Sequence, residues 1–317
     1  MPKTALAKKE GLSFVLPIAK RKGRDGRDLD RLRILLSSFL SFFDLRDLIT
    51  FWLLAPPSDV AAVKSLLREI TSDSRFEVVS ETDMCPELKK TPKNKLQATG
   101  WFRQQLIKLA AHEVVRSNFY MTLDADVICV RPFSCSDVIK KGKALCNTEY
   151  LKDYRALYKS QFALREMKVK QRRIGWAEKV LGISRSPQYR KRIYGETPVI
   201  LNTRQVGNLT LYLEEKHELP WRSALLQALP WTEYPLYFQF LESTGELDSV
   251  HLPTHRNAVL SLDDSFWHSP VVYRSAMAEW DPKDAFNPKG AGYLVVVQSF
   301  LGIDPKRVWE VVESYIH

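Results

Sequence analysis

Short apolar runs alternate along the first 135 residues with longer segments whose apolar positions recur every three or four residues. Residues 12–19 (LSFVLPIA), 48–55 (LITFWLLA) and 76–80 (FEVVS) have the length and composition of buried strands. Between the first two, Leu32, Leu35, Leu36, Phe39, Leu40 and Phe43 repeat at helical spacing behind Asp28 or Asp30 as cap. After the Pro56-Pro57 stop, Ser58 is placed to cap a helix over 60–70. A further helix over 99–115 puts Phe102, Leu106, Leu109, Ala110 and Val114 on its apolar face and leads into a fourth apolar run. This β-α-β-α-β-α-β order predicts an α/β fold with a mainly parallel sheet flanked by helices. Ligands of such sheets bind beyond the carboxyl ends of the strands.

The pattern loosens after about residue 136. Segment 151–194 reads as helical in parts, with breaks expected at Gly175, Gly182 and Pro187. A short strand at 197–202 precedes a helix over 206–215, and another helix starts near Thr232 with Tyr234, Tyr237, Phe238 and Leu241 as packing residues. Residues 251–290 are rich in Pro and Asp and read as irregular; 293–300 is a late strand and 307–315 a closing helix. Nothing reads as a flexible linker, so the expectation is one domain over 1–317, with functional halves at 11–135 and 136–317.

The fourth apolar run carries the sharpest chemistry. Residues 118–133 read NFYMTLDADVICVRPF, an apolar strand that drives into Asp124-Ala125-Asp126 and then resumes. Carboxylates at a buried strand end coordinate a metal or meet a cation, because unpaired buried charge is costly. If the segment stays extended, residues two apart share one side, and both acids face one divalent ion.

Composition and charge narrow the reading. The chain has 317 residues, 45% hydrophobic, with eight Trp, twelve Tyr and fifteen Phe, which describes a packed globule. Cys85, Cys129, Cys135 and Cys146 form no CxxC and no zinc spacing, so reduced thiols in a cytosolic protein are expected. The apolar run near the N-terminus is too short for a secretory core and no segment is long enough to span a membrane, which predicts a soluble protein or one lying on a membrane's inner surface. The net charge of +10 is uneven: residues 151–194 hold thirteen Lys or Arg against three acids. Such a patch fits an acidic partner, with anionic lipid preferred; Arg172 and Arg173 beside Ile174 and Trp176 suit an interfacial helix. No nucleic-acid motif is present, so no nucleic-acid partner is expected.

Three stretches, GWFRQQLIKLAA at 100–111, MTLDADVICVRPF at 121–133 and WTEYPLYFQFLESTG at 231–245, resemble GT-A nucleotide-sugar glycosyltransferases. More narrowly, they are similar to bacterial and viral sugar transferases related to the glycogenin-like superfamily. The resemblance implies a GT-A (Rossmann-like) fold, a nucleotide diphosphate sugar donor, a saccharide or lipid-linked saccharide acceptor, and Mn²⁺ or Mg²⁺ as cofactor. By the same resemblance Asp126 would bind the metal directly, with Asp124 on the metal, its water or the ribose. A third ligand would come from Asp264 or His268 in LDDSFWHS, with His251 and His255 as alternatives. Arg103, Gln104, Lys108 and Lys95 would read the donor, Gln104 and Lys108 sharing one helix face. Pro17 and Ile18 end the first strand where such folds admit the nucleotide base. Glu233, in the first turn of a helix capped by Thr232, would be the base of an inverting transfer, and the basic insertion 151–194 would shape the acceptor half.

Two other enzymes share parts of this pattern. A haloacid-dehalogenase-like phosphohydrolase also has a strand ending in D-x-D, but on the first strand of its core, whereas here three strands come before it. A nucleotidyltransferase needs a Gly-rich N-terminal loop, and residues 16–28 hold only Gly23 and Gly26. A non-enzymatic basic protein binding membrane or nucleic acid is the remaining alternative.

Overall fold

The computed structural model describes residues 9–20, 27–150, 161–266 and 282–316. The strands in chain order are β1 (Lys9–Pro17), β2 (Leu48–Ala55), β3 (Phe76–Ser80), β4 (Ser117–Thr122), β5 (Val127–Cys129), β6 (Ile139–Lys140), β7 (Lys143–Cys146), β8 (Thr148–Tyr150), β9 (Arg192–Tyr194), β10 (Val199–Asn202), β11 (His251–Pro253) and β12 (Leu294–Val296). The principal sheet has the order β10-β4-β1-β2-β3. Pairs β4-β1, β1-β2 and β2-β3 are parallel, and β10 adds an antiparallel edge. The mainly parallel α/β architecture expected from the hydrophobic pattern is therefore present.

Each central strand is apolar on both faces. On β1, Leu12, Phe14 and Leu16 join one core and Val15 the other; on β4, Phe119 and Met121 oppose Tyr120 in the same way. The first core lies under α1 (Arg27–Phe42) and α2 (Val60–Ile70), where Phe14, Phe39, Phe43, Phe51 and Phe76 stack edge-on and face-on. The second lies under a group of helices that includes Gly100–Ala110 (α4, after the short α3 at Glu81–Met84), Gln161–Leu181, Thr203–His217 and Glu233–Thr244. β5 is detached from the principal sheet. It pairs antiparallel with β12, and its Cys129 amide donates to Ser38 Oγ on α1 at 3.1 Å.

Several local expectations need correction. Ser58 is not the cap of α2: Asp59 occupies that position without a side-chain cap bond, its carboxylate accepting the Lys20 amide at 2.8 Å. Gly175 does not interrupt its helix, which runs unbroken from Gln161 to Leu181. Met167, Lys170, Ala177, Val180 and Leu181 are buried along that helix, and this tertiary burial outweighs the roughly 1 kcal/mol that one Gly costs. Gly182, with φ +63°, does end it. Cys85, Cys129, Cys135 and Cys146 are free. Among the described residues no helix is long and apolar enough to cross a membrane.

Candidate active site

Beyond Thr122 the chain leaves the sheet and turns, the Val127 amide donating to the Asp124 carbonyl at 3.1 Å. This turn replaces the extended geometry expected for the Asp triplet, yet Asp124 and Asp126 still line one cleft, with a cavity of about 260 Å³. The C-terminal segment secures the turn. The Val297 amide donates to the Asp126 carbonyl at 2.9 Å and the Ser299 amide to Asp126 Oδ2 at 2.7 Å. Burial, and then the charge of Asp124, push the Asp126 carboxyl up to about 6 against the opposing Ser299 amide.

α4 forms one wall. Thr99 caps it by accepting the Phe102 amide, and Tyr120 of β4 donates its hydroxyl to the Lys108 carbonyl at 2.9 Å, tying the helix to the strand that leads into Asp124. Lys108 is buried and its Nζ touches Asp124 Oδ1 at 2.8 Å, Glu233 Oε1 at 3.2 Å and the Tyr234 hydroxyl at 3.1 Å. Burial alone would lower the Lys108 pKa, but Asp124, Tyr234 and Glu233 outweigh it and hold it well above the usual value. Burial raises Glu233; Lys108 opposes that rise and Asp124 adds to it. The two directions are compatible because one cation serves two carboxylates. Lys108 gains from both, while each acid receives a share of the cation and feels the other acid.

Glu233 begins its helix, as expected, but the cap differs. Thr232 makes no side-chain cap bond; the Glu233 amide donates instead to Gln105 Oε1 of α4 at 3.1 Å. Tyr234 OH also meets Thr122 Oγ1 at 2.9 Å, so the last residue of β4 is joined to the Glu233 helix.

The opposite wall is the Gln161–Leu181 helix together with β9 and the residues after it. Lys170 pairs with Glu149 at 3.1 Å and Arg173 with Glu196; Lys170, Arg173 and Glu196 all line the cleft. Glu196 holds Arg173 above its usual pKa, burial opposes this, and Glu233 reinforces it. The basic segment is thus divided. Part of its charge faces inward onto acids, while Arg165, Lys168, Arg172 and Lys179 are exposed.

The structure therefore brings Gln104, Lys108, Asp124, Asp126 and Glu233 together. Other expected residues fall elsewhere. Arg103 pairs with Glu81 and lines a separate, smaller pocket; Lys95 is exposed and lines neither. Pro17 and Ile18 are buried, and the Ile18 amide donates to Leu54 O at 2.9 Å. Asp264 meets Ser261 Oγ at 2.6 Å and Arg131 Nη2 at 3.4 Å, away from the cleft lining. His251 is buried in the core against the Tyr237 hydroxyl at 2.8 Å. His268 lies outside the described residues. Among the described residues no group of three or more His, Cys, Asp or Glu is arranged to hold a metal. Asp124 and Asp126 remain a two-carboxylate set.

Sequence reading missed Gln105, Lys170 and Glu196, and it set Arg173 beside Arg172 on an interfacial helix, whereas Arg173 turns into the cleft and pairs with Glu196. For Gln105 a signal existed: positions 101, 104, 105 and 108 share one helical face. For Lys170 and Arg173, local sequence shows only a basic helix.

The model of the family described as "Family of unknown function (DUF6492)" matches residues 9–317, and the chain belongs to that family. No curated protein matches it. Among solved structures, apo mouse xyloside xylosyltransferase 1 is similar over 92% of this chain and 99% of its own, at 12% identity and TM-score 0.52. Galactosyltransferase LgtC with donor and acceptor sugar analogues is similar over 95% of each chain, at 12% identity and TM-score 0.47. A 4-diphosphocytidyl-2C-methyl-D-erythritol synthase from Anaerococcus prevotii DSM 20548 is similar over 78% of this chain and 87% of its own, at 14% identity and TM-score 0.38. The first likeness establishes the fold, which is of the GT-A type.

Proposed function

We propose that this DUF6492 protein is a metal-dependent glycosyltransferase that moves a sugar from a nucleotide diphosphate sugar to a saccharide or lipid-linked saccharide, in surface polysaccharide or glycolipid assembly. The observation that carries the reading is one cleft at the carboxyl end of β4 in which Lys108 joins Asp124 to Glu233. Similarity in fold to a protein named as a xylosyltransferase supports it.

Two carboxylates of like charge, one with its pKa raised to about 6 by burial and by the other, suit Mg²⁺ or Mn²⁺. Such an ion takes one or two carboxylates and fills its shell from substrate phosphates and water. Asp126 and Asp124 would hold it, and it would supply Lewis-acid neutralisation of the departing diphosphate. Lys108, kept cationic, adds positive charge beside that leaving group, and Gln104 on the same face orients the donor. Glu233, its carboxyl raised by burial, takes the acceptor hydroxyl proton in an inverting transfer. A second reading is favoured by one observation. The Glu233 side chain is only 4% exposed and is clamped by Lys108, which makes it a fixed support and the transfer a retaining one. The anomeric configuration of the product, read by NMR, separates the two.

The class is tested by donor hydrolysis. A panel of nucleotide sugars is incubated with Mn²⁺, Mg²⁺ or EDTA, and nucleoside diphosphate release is followed. Metal-dependent release from one donor is expected, with Asp126→Ala lowering it by at least about 100-fold. Hydrolysis of a generic phosphate ester with no donor cleaved would replace the transferase by a phosphohydrolase.

The exposed Arg165, Lys168, Arg172 and Lys179 lie within one stripe of their helix, and the Arg172 guanidinium sits 5.4 Å from the Trp176 ring centroid. This face is proposed to rest on an anionic membrane bearing the acceptor. Sedimentation with phosphatidylglycerol vesicles, but not pure phosphatidylcholine, should carry the protein down. Replacing all four residues by Glu should abolish it; unchanged sedimentation of that variant would sink the idea.

A further inference from the structure

α4 lays one face along the cleft. Trp101, Gln104, Gln105 and Lys108 are spaced i, i+3, i+4 and i+7, and all line the cavity. Lys108 marks the end that holds Asp124 and Glu233. Trp101 marks the other end, about 10 Å further along the helix axis, the span of roughly two linked sugar rings.

Trp101 is 41% exposed, although large aromatic side chains are on average highly buried. The ring is held in place. Phe102 meets it edge-on with centroids 4.7 Å apart and planes at 69°, and the Arg173 guanidinium lies 5.3 Å from its centroid. Arg173 is fixed in turn by Glu196, and it lies near enough to Glu233 for that charge to act on it. From Asp126 the cleft therefore runs past Asp124, Lys108 and Glu233 to Arg173, Glu196 and Trp101. Along α4, the indole stands a helix length of seven residues from Lys108, which holds Asp124 and Glu233.

The chemistry of that end suits a neutral polyhydroxyl group. A pyranose ring offers a face of axial C–H bonds that packs on an aromatic plane, while its equatorial hydroxyls reach outward to planar donors and acceptors. A guanidinium and a carboxylate beside the indole supply both. Because Arg173 and Glu196 are paired, the guanidinium beside the indole is already answered by a carboxylate and is not a free cation awaiting a phosphate.

We infer that Trp101, with Arg173 and Glu196, is a binding platform for an extended saccharide acceptor of at least two rings, whose reacting ring lies at Glu233 and whose next ring stacks on the indole. The identity of the occupant as an acceptor rests on the transferase reading above; the platform itself rests on the geometry.

Saturation-transfer NMR tests it, with lactose, cellobiose, maltose and chitobiose as probes beside the methyl glycosides of their non-reducing rings. At least one disaccharide should receive saturation, at least fivefold more than its methyl glycoside. Trp101→Ala should remove it, and Trp101→Tyr should keep most of it. Trp101→Gln serves as a second truncation, with circular dichroism confirming that each variant is folded. Saturation from no probe, or saturation unchanged in both truncated variants, overturns the inference. Donor hydrolysis by the wild-type protein is measured on the same preparation. Donor cleavage with saccharide contact indifferent to Trp101 sinks this inference alone. Contact that depends on Trp101 without cleavage of any donor sinks the transferase reading and leaves the platform standing.

Discussion

The two walls of the cleft both carry ion pairs, but of different kinds. On α4, the Lys108 side chain is 4% exposed and faces two acids, one of them equally buried. Across the cleft, the Arg173 and Glu196 side chains pair while each remains about a quarter exposed. In the buried arrangement neither water nor salt can replace a missing partner, so the three charges stand or fall together. The opposite pair is partly exposed and therefore screened. Under the proposed function, this difference would separate a reacting floor, where charge must be fixed in advance, from a recognising rim that meets the ligand.

The comparison breaks most visibly through stability. Lys108→Met should cost about 3–5 kcal/mol, because it leaves the buried Glu233 carboxylate beside Asp124 without a cation. Arg173→Met should cost less than about 1 kcal/mol. Urea denaturation followed by tryptophan fluorescence checks both, and equal losses would show that the walls do not differ.

A smaller effect concerns a buried group that stays neutral. Burial lowers His251 to about 3, and its ring meets the Tyr237 hydroxyl on the Glu233 helix. The unfolded chain protonates this histidine below its ordinary value of 6.5, whereas the folded protein does not until about 3. Stability contributed by the neutral ring is therefore full above pH 6.5 and is lost as pH falls toward 3. By pH 5 the loss should reach about 2 kcal/mol. Comparing denaturation midpoints at pH 7.5 and pH 5 should show this loss in the wild type and a flatter dependence in His251→Leu. Parallel slopes would exclude His251 as the source.

The smallest effect lies on the outer wall. A Cβ at Gly175 would meet nothing within 4 Å, and the residue is exposed within a continuous helix. Gly175→Ala should stabilise by about 0.5–1 kcal/mol, seen as a raised melting temperature. No change, or a loss, would mean that Gly175 does not take part in a continuous helix in solution.

The first half of the chain was legible almost element by element. β2, α2 and β3 occupy the residues that the apolar runs mark, because a strand buried on both faces and an amphipathic helix write their periods directly into the sequence. Among the site residues, Asp124 and Asp126 stood out because they interrupt such a period, whereas Gln104 and Lys108 were singled out only through the resemblance to GT-A transferases. The second half was less legible. Glu233 could be singled out at a helix start, but its cap comes from Gln105, 128 residues earlier in the chain. Arg173 and Lys170 resembled Arg172 and Lys168, since nothing local distinguishes a basic residue that finds an acid from one that faces water.

The sequence by itself determined the strand and helix order of the first half of the chain, the place of the two aspartates at the end of β4, and the concentration of positive charge in one segment. These follow from short-range regularities of hydrophobicity and charge. Only the tertiary structure decided that Lys108 joins Asp124 to Glu233, that Gln105 caps the Glu233 helix, and that the basic helix turns Arg173 toward Trp101 while leaving Arg172 outside. Those outcomes depend on which surfaces meet after the two halves pack, and on the cost of leaving any buried charge without a partner.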